Sequence, residues 1–244
     1  MYTDLLPPTE DPMGQAIADY HKKGRADKLI VSSPDFDDDE IPVSQLFRTY
    51  AEMSSIEQTA LRLARGKILD IGAGSGCHSL ALQEMGKNVE AIDISALSVQ
   101  VMKERGIKAE QRNFFSPTWA TTYDTLLLLM NGAGIIGKVE EFPRFFERIK
   151  QLLSPEGCVL MDSSDLRYLY EEEEEDGSFL IDIAGDYYGE LSYSMQYKKT
   201  KGKPFLWLYV DFETLSYYAS QYGFKATCIE QGAHYDYLAK IEWR

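Results

Sequence analysis

The stretch from residue 67 to residue 95 constrains the fold of this chain more than any other. A short apolar strand over 68–70 is followed by a glycine-rich loop, a helical stretch over 77–85 and a second strand over 89–92. Glycine has no Cβ, so we expect the loop to turn sharply, direct backbone N–H groups at a ligand and allow its close approach. Asp93 ends the second strand about 20 residues after the first glycine, the layout of a nucleotide-binding half-fold.

The spacing of the glycines bears on which ligand this loop binds. A dinucleotide fingerprint has glycine or alanine at the first, third and sixth positions of the loop. Here those positions hold Gly72, Gly74 and Cys77, and the third glycine, Gly76, comes early. The carboxylate of Asp70 would repel a pyrophosphate and would favour a cationic ligand that has no phosphate. An NAD-dependent oxidoreductase is therefore disfavoured, and it stays open as an alternative.

The glycine loop is the first of four sequence segments that together indicate a family. The segments ILDIGAGSG at 68–76 and AIDIS at 91–95 precede YDTLLLLMNG at 123–132 and LLSPEGCVLMD at 152–162. In this order they resemble motifs I and II, the fourth strand and the approach to the fifth strand of class I S-adenosylmethionine-dependent methyltransferases. The resemblance implies a Rossmann-like α/β fold with a seven-stranded sheet, mostly parallel with the last strand antiparallel. It also implies S-adenosyl-L-methionine as the cofactor and S-adenosyl-L-homocysteine as its product.

The resemblance and the side-chain chemistry together predict the cofactor contacts. The predicted residues are Arg48, Asp70, Gly72, Ala73, Gly74, Gly76, Asp93, Ile94, Asn113, Phe114 and Asn131. Asp93 is placed to accept hydrogen bonds from both ribose hydroxyls. Relatives usually carry an aspartate at the position of Asn113, which keeps an acceptor oxygen for the adenine amino group. Phe114 offers an apolar surface for the adenine ring.

Asn131 follows the most apolar stretch of the chain, residues 125–130. Such a run is typical of a central strand that is buried on both faces. In a parallel sheet, ligands bind beyond the carboxyl ends of the strands, where the strand order reverses. The resemblance puts that point between the first and fourth strands, so we expect Asn131 beside the methionine part of the cofactor.

Arg48 lies in a predicted helix over 43–65, ahead of the first strand of the sheet. Methyltransferases of this kind commonly fold such a helix over the cofactor, and Arg48 would then pair with the methionine carboxylate. In the other interpretation Arg48 faces solvent, while Phe47 and Tyr50 pack in the core. The sequence favours neither.

Composition and charge exclude several classes of protein. The 244 residues carry a net charge of −14, which argues against a general nucleic-acid binder because a phosphate backbone demands clustered Lys and Arg. The three cysteines are widely spaced and form no metal-ligand pattern, so no metal is expected. No signal peptide and no apolar run of 18 residues is present, so we predict a cytoplasmic protein without a membrane span.

The chain divides into four predicted regions. Residues 1–53 form a tail and a helical cap, and 54–165 form the S-adenosylmethionine-binding core. Residues 166–211 insert a β-rich cover over the substrate, and 212–244 complete the core sheet. Within the first region, the acidic run at 35–40 is predicted to be a solvated loop without a metal.

The inserted region contains strand-like alternation over 191–197 and 205–210, with a turn expected at 200–203. Its tyrosines suit either a wall around an organic substrate or a half-buried sheet. Five glutamates at 171–175 are expected to form a solvated surface. The polar run at 162–165 is expected either to orient a substrate or to cap the turn that follows it.

The catalytic residue is not specified by the sequence. Strands over 224–229 and 235–243 are joined by a loop on the active edge, and His234 in that loop is a weak candidate for a general base. Methyl transfer from a sulfonium is an in-line displacement on an activated carbon, so positioning supplies most of the catalysis. The resemblance implies a methyltransferase, and a cover over the site would leave a pocket rather than a groove, so we predict a small-molecule acceptor. A non-catalytic S-adenosylmethionine-binding protein stays open as a second alternative.

Overall fold

The fold is built from strands that alternate with helices along most of the chain. The structure, a computed structural model, describes residues 5–117, 119, 121–169 and 187–244, and the backbone alone of 172–173 and 179–180. The strands are β1 (Leu29–Ser32), β2 (Asp39–Ile41), β3 (Lys67–Ile71), β4 (Asn88–Asp93), β5 (Ala109–Gln111), β6 (Tyr123–Leu128), β7 (Leu153–Ser164), β8 (Glu172–Glu173), β9 (Phe179–Leu180), β10 (Glu190–Tyr197), β11 (Thr200–Lys201), β12 (Phe205–Leu208), β13 (Phe224–Gln231) and β14 (Asp236–Trp243). The α-helices are α1 (Pro12–Lys23), α2 (Ser55–Leu63), α3 (Cys77–Glu84), α4 (Ala96–Glu104), α5 (Phe142–Leu152) and α6 (Phe212–Gln221).

Seven strands form the central sheet, in the order β13-β14-β7-β6-β3-β4-β5. Strand β14 runs antiparallel to both of its neighbours, and all other neighbouring strands in this sheet are parallel. The predicted fold is therefore confirmed. The chain runs outward from β3 to β4 and β5 and then returns to the other side of β3 as β6. Because the strand order reverses there, the ligand-binding edge lies at the carboxyl ends of β3 and β6.

The two faces of the sheet are covered by different apolar clusters. Successive side chains of a strand point to opposite faces, so Leu69 joins one cluster and Ile68 the other. The Leu69 cluster is rich in aromatic side chains from α5, including the fully buried Phe142 and Phe146. On the Ile68 side, α2 and α3 supply aliphatic side chains such as Leu82. Both faces of the sheet are therefore covered, as expected for a mostly parallel sheet.

The prediction of one helix over 43–65 is wrong. The segment contains two short 3₁₀ helices, Val43–Phe47 and Tyr50–Glu52, before α2 begins at Ser55. Thr49 and Ser54 each start a new helix with a capping box, in which a glutamate three residues later bonds back to the cap. Met53 is extended between them, so the helix cannot continue.

A second sheet joins the N-terminal region to the inserted region. Its order is β11-β10-β1-β2, and β12 pairs with β10. The β10–β12 pairing, with Tyr193 opposite Phe205, confirms the predicted antiparallel hairpin. The turn expected at 200–203 is misplaced, because residues 200–201 form β11 and pair back onto β10. The chain therefore reverses at Lys198, which has a φ of 53° in the left-handed region.

This sheet makes one structural unit from segments that the sequence separates. Leu29 of β1 lies opposite Tyr197 of β10. Tyr197 is 1% exposed, and its hydroxyl donates to Asp19 of α1 at 2.9 Å. Tyr197 is thus a core residue and not part of a substrate wall. The acidic run at 35–40 is exposed as predicted, although its last residues belong to β2.

The predicted solvated surface at 171–175 lies outside the residues whose side chains are described. Among the described helices, none combines the length and the apolar character that a membrane crossing requires. Within the same residues, no group of three or more His, Cys, Asp or Glu side chains is arranged to hold a metal ion.

Candidate functional site

The glycine loop uses its backbone N–H groups inside the protein. The N–H groups of Gly72 and Ala73 both donate to the carbonyl of Ile92, at 2.9 and 3.2 Å. The N–H of Gly74 donates to the carboxylate of Asp93 at 2.8 Å. The expectation that these N–H groups point at the ligand is therefore wrong. They tie the loop to the end of β4 and leave no phosphate cradle at these positions.

The three loop glycines, all with positive φ, have different roles. A Cβ added at Gly72 would meet no atom within 4 Å, so free space lies beside this residue. At Gly74 the nearest atom would be Cδ1 of Ile17 in α1, at 3.9 Å. A Cβ at Gly76 would lie 2.5 Å from Cδ1 of Ile107 and 2.9 Å from Cγ of Met102. Gly76 is therefore required for packing, whereas Gly72 borders space that a ligand can fill.

Asp93 lies half-buried at the carboxyl end of β4. Its two carboxylate oxygens accept the N–H groups of Gly74 and Ser95, each at 2.8 Å. Burial raises the pKa of Asp93 to about 6, although these two hydrogen bonds by themselves would lower it. The carbonyl of the adjacent Ile94 accepts the N–H of Leu6 at 2.9 Å, so the N-terminal segment passes next to this position.

Asp70 is buried beneath the loop, with 2% of its surface exposed. Its carboxylate accepts a hydrogen bond from the hydroxyl of Ser79 in α3 at 2.7 Å, and burial raises its pKa. The carboxylate is thus enclosed beneath the loop, and its predicted contact with the cofactor stays a prediction.

Asn113 and Phe114 follow β5, and both are predicted to contact the adenine of the cofactor. Only Asn113 is accessible from outside the core. Asn113 is half-buried and its Oδ1 accepts the N–H of Phe115 at 2.9 Å. The ring of Phe114 is 2% exposed and packs against Phe115 and Phe145 in the core. Its predicted contact with adenine stays a prediction, and this burial does not favour it.

The end of β6 has an unusual backbone. Met130 and Asn131 have φ values of 66° and 56°, in the region that favours glycine. The Nδ2 of Asn131 donates to the carbonyl of Leu208 at 3.3 Å. Its Oδ1 is buried and has no hydrogen-bond partner among the described residues. The carboxylate of Asp162 accepts the N–H groups of Met130 and Gly132, at 3.1 and 2.8 Å.

Asp162 therefore caps a turn on the neighbouring strand, and not the turn that follows it. Asp165 does cap the following turn, because it accepts the N–H of Arg167 at 2.9 Å. Burial raises the pKa of Asp162 to about 6. The sequence signal for Asp162 was its position at the carboxyl end of β7, next to the end of β6.

Arg48 belongs to a buried charge cluster that sequence reasoning missed. Its guanidinium donates to the carboxylate of Glu57 and to the carbonyl of Gln45. Oε1 of Glu57 also lies 2.7 Å from Nε2 of His78. Burial alone would raise the pKa of Glu57, but hydrogen bonds from His78 and Arg48 outweigh it and lower the pKa to about 2. The capping-box spacing from Ser54 to Glu57 was the only sequence signal.

The packing interpretation of this segment is right for Phe47 and Tyr50 and wrong for Arg48, while the pairing of Arg48 with the methionine carboxylate stays a prediction. Phe47 stacks on Tyr20 with 4.7 Å between ring centroids, and Tyr50 packs against the Ile68 cluster, as the packing interpretation expects. Arg48 does not face solvent, because its side chain is only 12% exposed.

A cavity of about 450 Å³ opens beside this cluster, at the carboxyl ends of β6 and β7. Its walls include Arg48, Glu57, Met130, Asp162 and Asp236. The β13–β14 loop does reach this edge, through Asp236. His234 is exposed in the same loop and is not part of the cavity wall.

Comparison with known proteins decides the family. A family model described as a methyltransferase domain matches residues 64–204, more than half of the chain. A solved S-adenosylmethionine-dependent methyltransferase from Bacteroides fragilis, in complex with S-adenosyl-L-homocysteine, is 60% identical with a TM-score of 0.92. That comparison covers 100% of this chain and 99% of the other. The chain belongs to the S-adenosylmethionine-dependent methyltransferases. The alternative of an NAD-dependent oxidoreductase is therefore wrong.

Two more distant methyltransferases are also similar. The CcbJ methyltransferase from Streptomyces caelestis shares the fold, with 14% identity, a TM-score of 0.63 and coverage of 96% of this chain and 98% of that one. A curated cypemycin N-terminal methyltransferase from Streptomyces sp is 29% identical over 102 residues. This match spans 40% of this chain and 42% of the length of that relative.

The cofactor of this family, S-adenosylmethionine, fits the residues present. Free space borders Gly72, where a side chain would otherwise intrude. The buried Oδ1 of Asn131 needs a donor, which the cofactor's ammonium group can supply. The carboxylates of Asp70, which is buried, and of Asp162, which is half-buried, suit a ligand with cationic sulfonium and ammonium groups.

Proposed function

We propose that the protein transfers the methyl group of S-adenosylmethionine to a small-molecule acceptor in the cavity beside Met130 and Asp162. The observation that carries this proposal is the cavity itself. Its volume of about 450 Å³ lies within the range of small-ligand sites. It adjoins the end of β6, where the strand order reverses. The net charge of −14 also disfavours a nucleic-acid substrate.

We assign the cofactor contacts as follows. Asp93 and Ile94 hold the ribose, Asn113 meets the adenine amino group, and Asn131 accepts from the ammonium group. Arg48 binds the methionine carboxylate while it stays paired with Glu57. This double role is possible because a guanidinium has five N–H donors, of which Gln45 and Glu57 use a part.

The chain's own contribution to the reaction is placement and exclusion of water. When bound, the cofactor supplies a methyl group already activated by its sulfonium. Holding the acceptor in line with that methyl converts a bimolecular reaction into an effectively unimolecular one. A general base is needed only where the acceptor loses a proton before attack.

An acceptor screen tests this function. We expect release of S-adenosylhomocysteine in the presence of at least one class of small amine, alcohol or thiol. Amines, including the free amino terminus of a short peptide, come first because the curated relative is named as an N-terminal methyltransferase. Binding of S-adenosylhomocysteine without turnover of any class would instead support a non-catalytic S-adenosylmethionine-binding protein.

The cover over the site provides a second test, because an exposed donor would be open to water. We propose that the N-terminal region and the hairpin act as one cover, since β1 pairs with β10. Hydrogen exchange at residues 44–53 is expected to slow when S-adenosylhomocysteine binds, and exchange in β1 and β10 is expected to slow together. Strand β13, at the far edge of the central sheet, is the internal control. Unchanged exchange at 44–53 would contradict the cover.

A further inference from the structure

The turn at the end of β6 is held in a conformation that its own residues disfavour. Met130 and Asn131 are consecutive non-glycine residues with positive φ. Asparagine adopts this region more readily than most residues, so the strain lies mainly at Met130. Backbone strain of this kind persists only when surrounding contacts determine it.

Two of the hydrogen bonds that hold the turn come from one side chain. The Asp162 carboxylate accepts the N–H groups of Met130 and Gly132, which flank Asn131 on both sides. A carboxylate that accepts two backbone N–H groups makes stronger hydrogen bonds than a neutral acceptor. Asp162 lies on β7, so this clamp joins two adjacent strands at the switch point of the sheet.

The turn carries a group that is ready for a ligand. The Oδ1 of Asn131 is buried without a partner among the described residues, while its Nδ2 is anchored on the carbonyl of Leu208. A buried acceptor without a donor is costly unless a ligand completes it. The position of the Asn131 Oδ1 depends on the conformation of the turn, and Asp162 holds that conformation through its two hydrogen bonds.

We propose that Asp162 is a positioning residue for the methionine half of the cofactor, acting through the Met130–Asn131 turn. This inference rests on the proposed function, in which Asn131 meets the cofactor's ammonium group. Asp162 itself needs no contact with the cofactor. Its carboxylate fixes the backbone that aims Asn131.

Two probes separate positioning from general stability. S-adenosylhomocysteine carries the same amino and carboxylate groups as the methionine half of the cofactor, whereas 5′-methylthioadenosine has the same adenosine part without them. The Asp162→Asn variant keeps the side-chain size but can accept only one of the two N–H groups. We expect it to bind S-adenosylhomocysteine at least about tenfold more weakly, because the hydrogen bond between Asn131 and the charged ammonium group is lost. Its affinity for 5′-methylthioadenosine is expected to stay within about twofold of wild type, because those contacts are unaltered.

A second substitution tests the strain directly. Glycine adopts positive φ without penalty, so Met130→Gly added to Asp162→Asn is expected to restore part of the lost affinity. Asp165→Asn is the matched control, because Asp165 ends the same segment but bonds Tyr188 and Arg167 instead. Its affinity for both probes is expected to match wild type.

The outcomes are distinct. An equal loss of both probes in Asp162→Asn, or no loss of either, would overturn the positioning role. A selective loss that Met130→Gly does not reduce would also overturn the role through the turn, and would make Asp162 a direct ligand. Failure of the wild-type protein to bind S-adenosylhomocysteine would refute the proposed function instead.

Discussion

Replacing Asp93 with alanine is expected to weaken binding of S-adenosylhomocysteine by about 1.5–3 kcal/mol, the range for hydrogen bonds to a charged group. The carboxylate is half-buried at the end of β4 and also accepts the N–H groups of Gly74 and Ser95. Its loss therefore removes the proposed ribose acceptor and loosens the glycine loop. Titration calorimetry of the folded variant measures the effect.

Two further variants and the pH dependence sharpen this experiment. Asp93→Asn keeps one acceptor oxygen, so its affinity is expected between those of wild type and Asp93→Ala. Asp37→Ala, in the exposed acidic run, is the matched control and should bind normally. Unchanged affinity in Asp93→Ala would remove this residue from the ribose site.

The raised pKa of Asp93, about 6, sets the direction of the pH effect. Below pH 6 the carboxyl group is increasingly protonated in the free protein and loses an acceptor. Affinity for S-adenosylhomocysteine is therefore expected to fall as the pH decreases from 7 to 5. Because the pKa of Asp162 is also about 6, the informative quantity is the difference between wild type and Asp93→Ala.

Replacing Glu57 with alanine is expected to reduce the free energy of unfolding by about 3–5 kcal/mol, the cost of removing one partner from a buried ion pair. The variant leaves the guanidinium of Arg48 and the ring of His78 without their carboxylate. The side chains of Arg48 and Glu57 are 12% and 9% exposed, so water replaces the lost contacts poorly. Urea denaturation measures the loss.

Glu52→Ala is the matched control for this variant. Glu52 makes the same type of capping-box contacts, with Thr49, but it is exposed. Its loss of stability is expected to be much smaller. Equal effects at the two positions would contradict the buried cluster.

Acid unfolding gives an independent measurement on Glu57. Its folded pKa of about 2 is below its ordinary value of 4.5. The group therefore stabilises the fold above pH 4.5, and that contribution is lost as the pH falls from 4.5 towards 2. Stability of the Glu57→Ala variant is expected to decrease less steeply over this interval.

The amino-acid sequence by itself determined the architecture and the family. Strand, glycine loop, helix and strand follow from local periodicity and from the positions of Gly72, Gly74 and Asp93. The apolar run before Asn131 identified the central strand, and the resemblance to the family then placed the reversal between the first and fourth strands, which are β3 and β6. These features are readable because each depends on residues that are close together in the chain.

Only the tertiary structure decided the details of the site. The Asp162 clamp, the Glu57 cluster and the β1–β10 pairing join residues of different elements, and local patterns do not specify which of these side chains and strands meet. The same holds for the ring of Phe114, whose burial depends on α5 packing beside it. Local pattern determines which residues form strands and loops. Which side chains meet is determined by packing between distant segments, where the geometry of the assembled sheet overrides local preference.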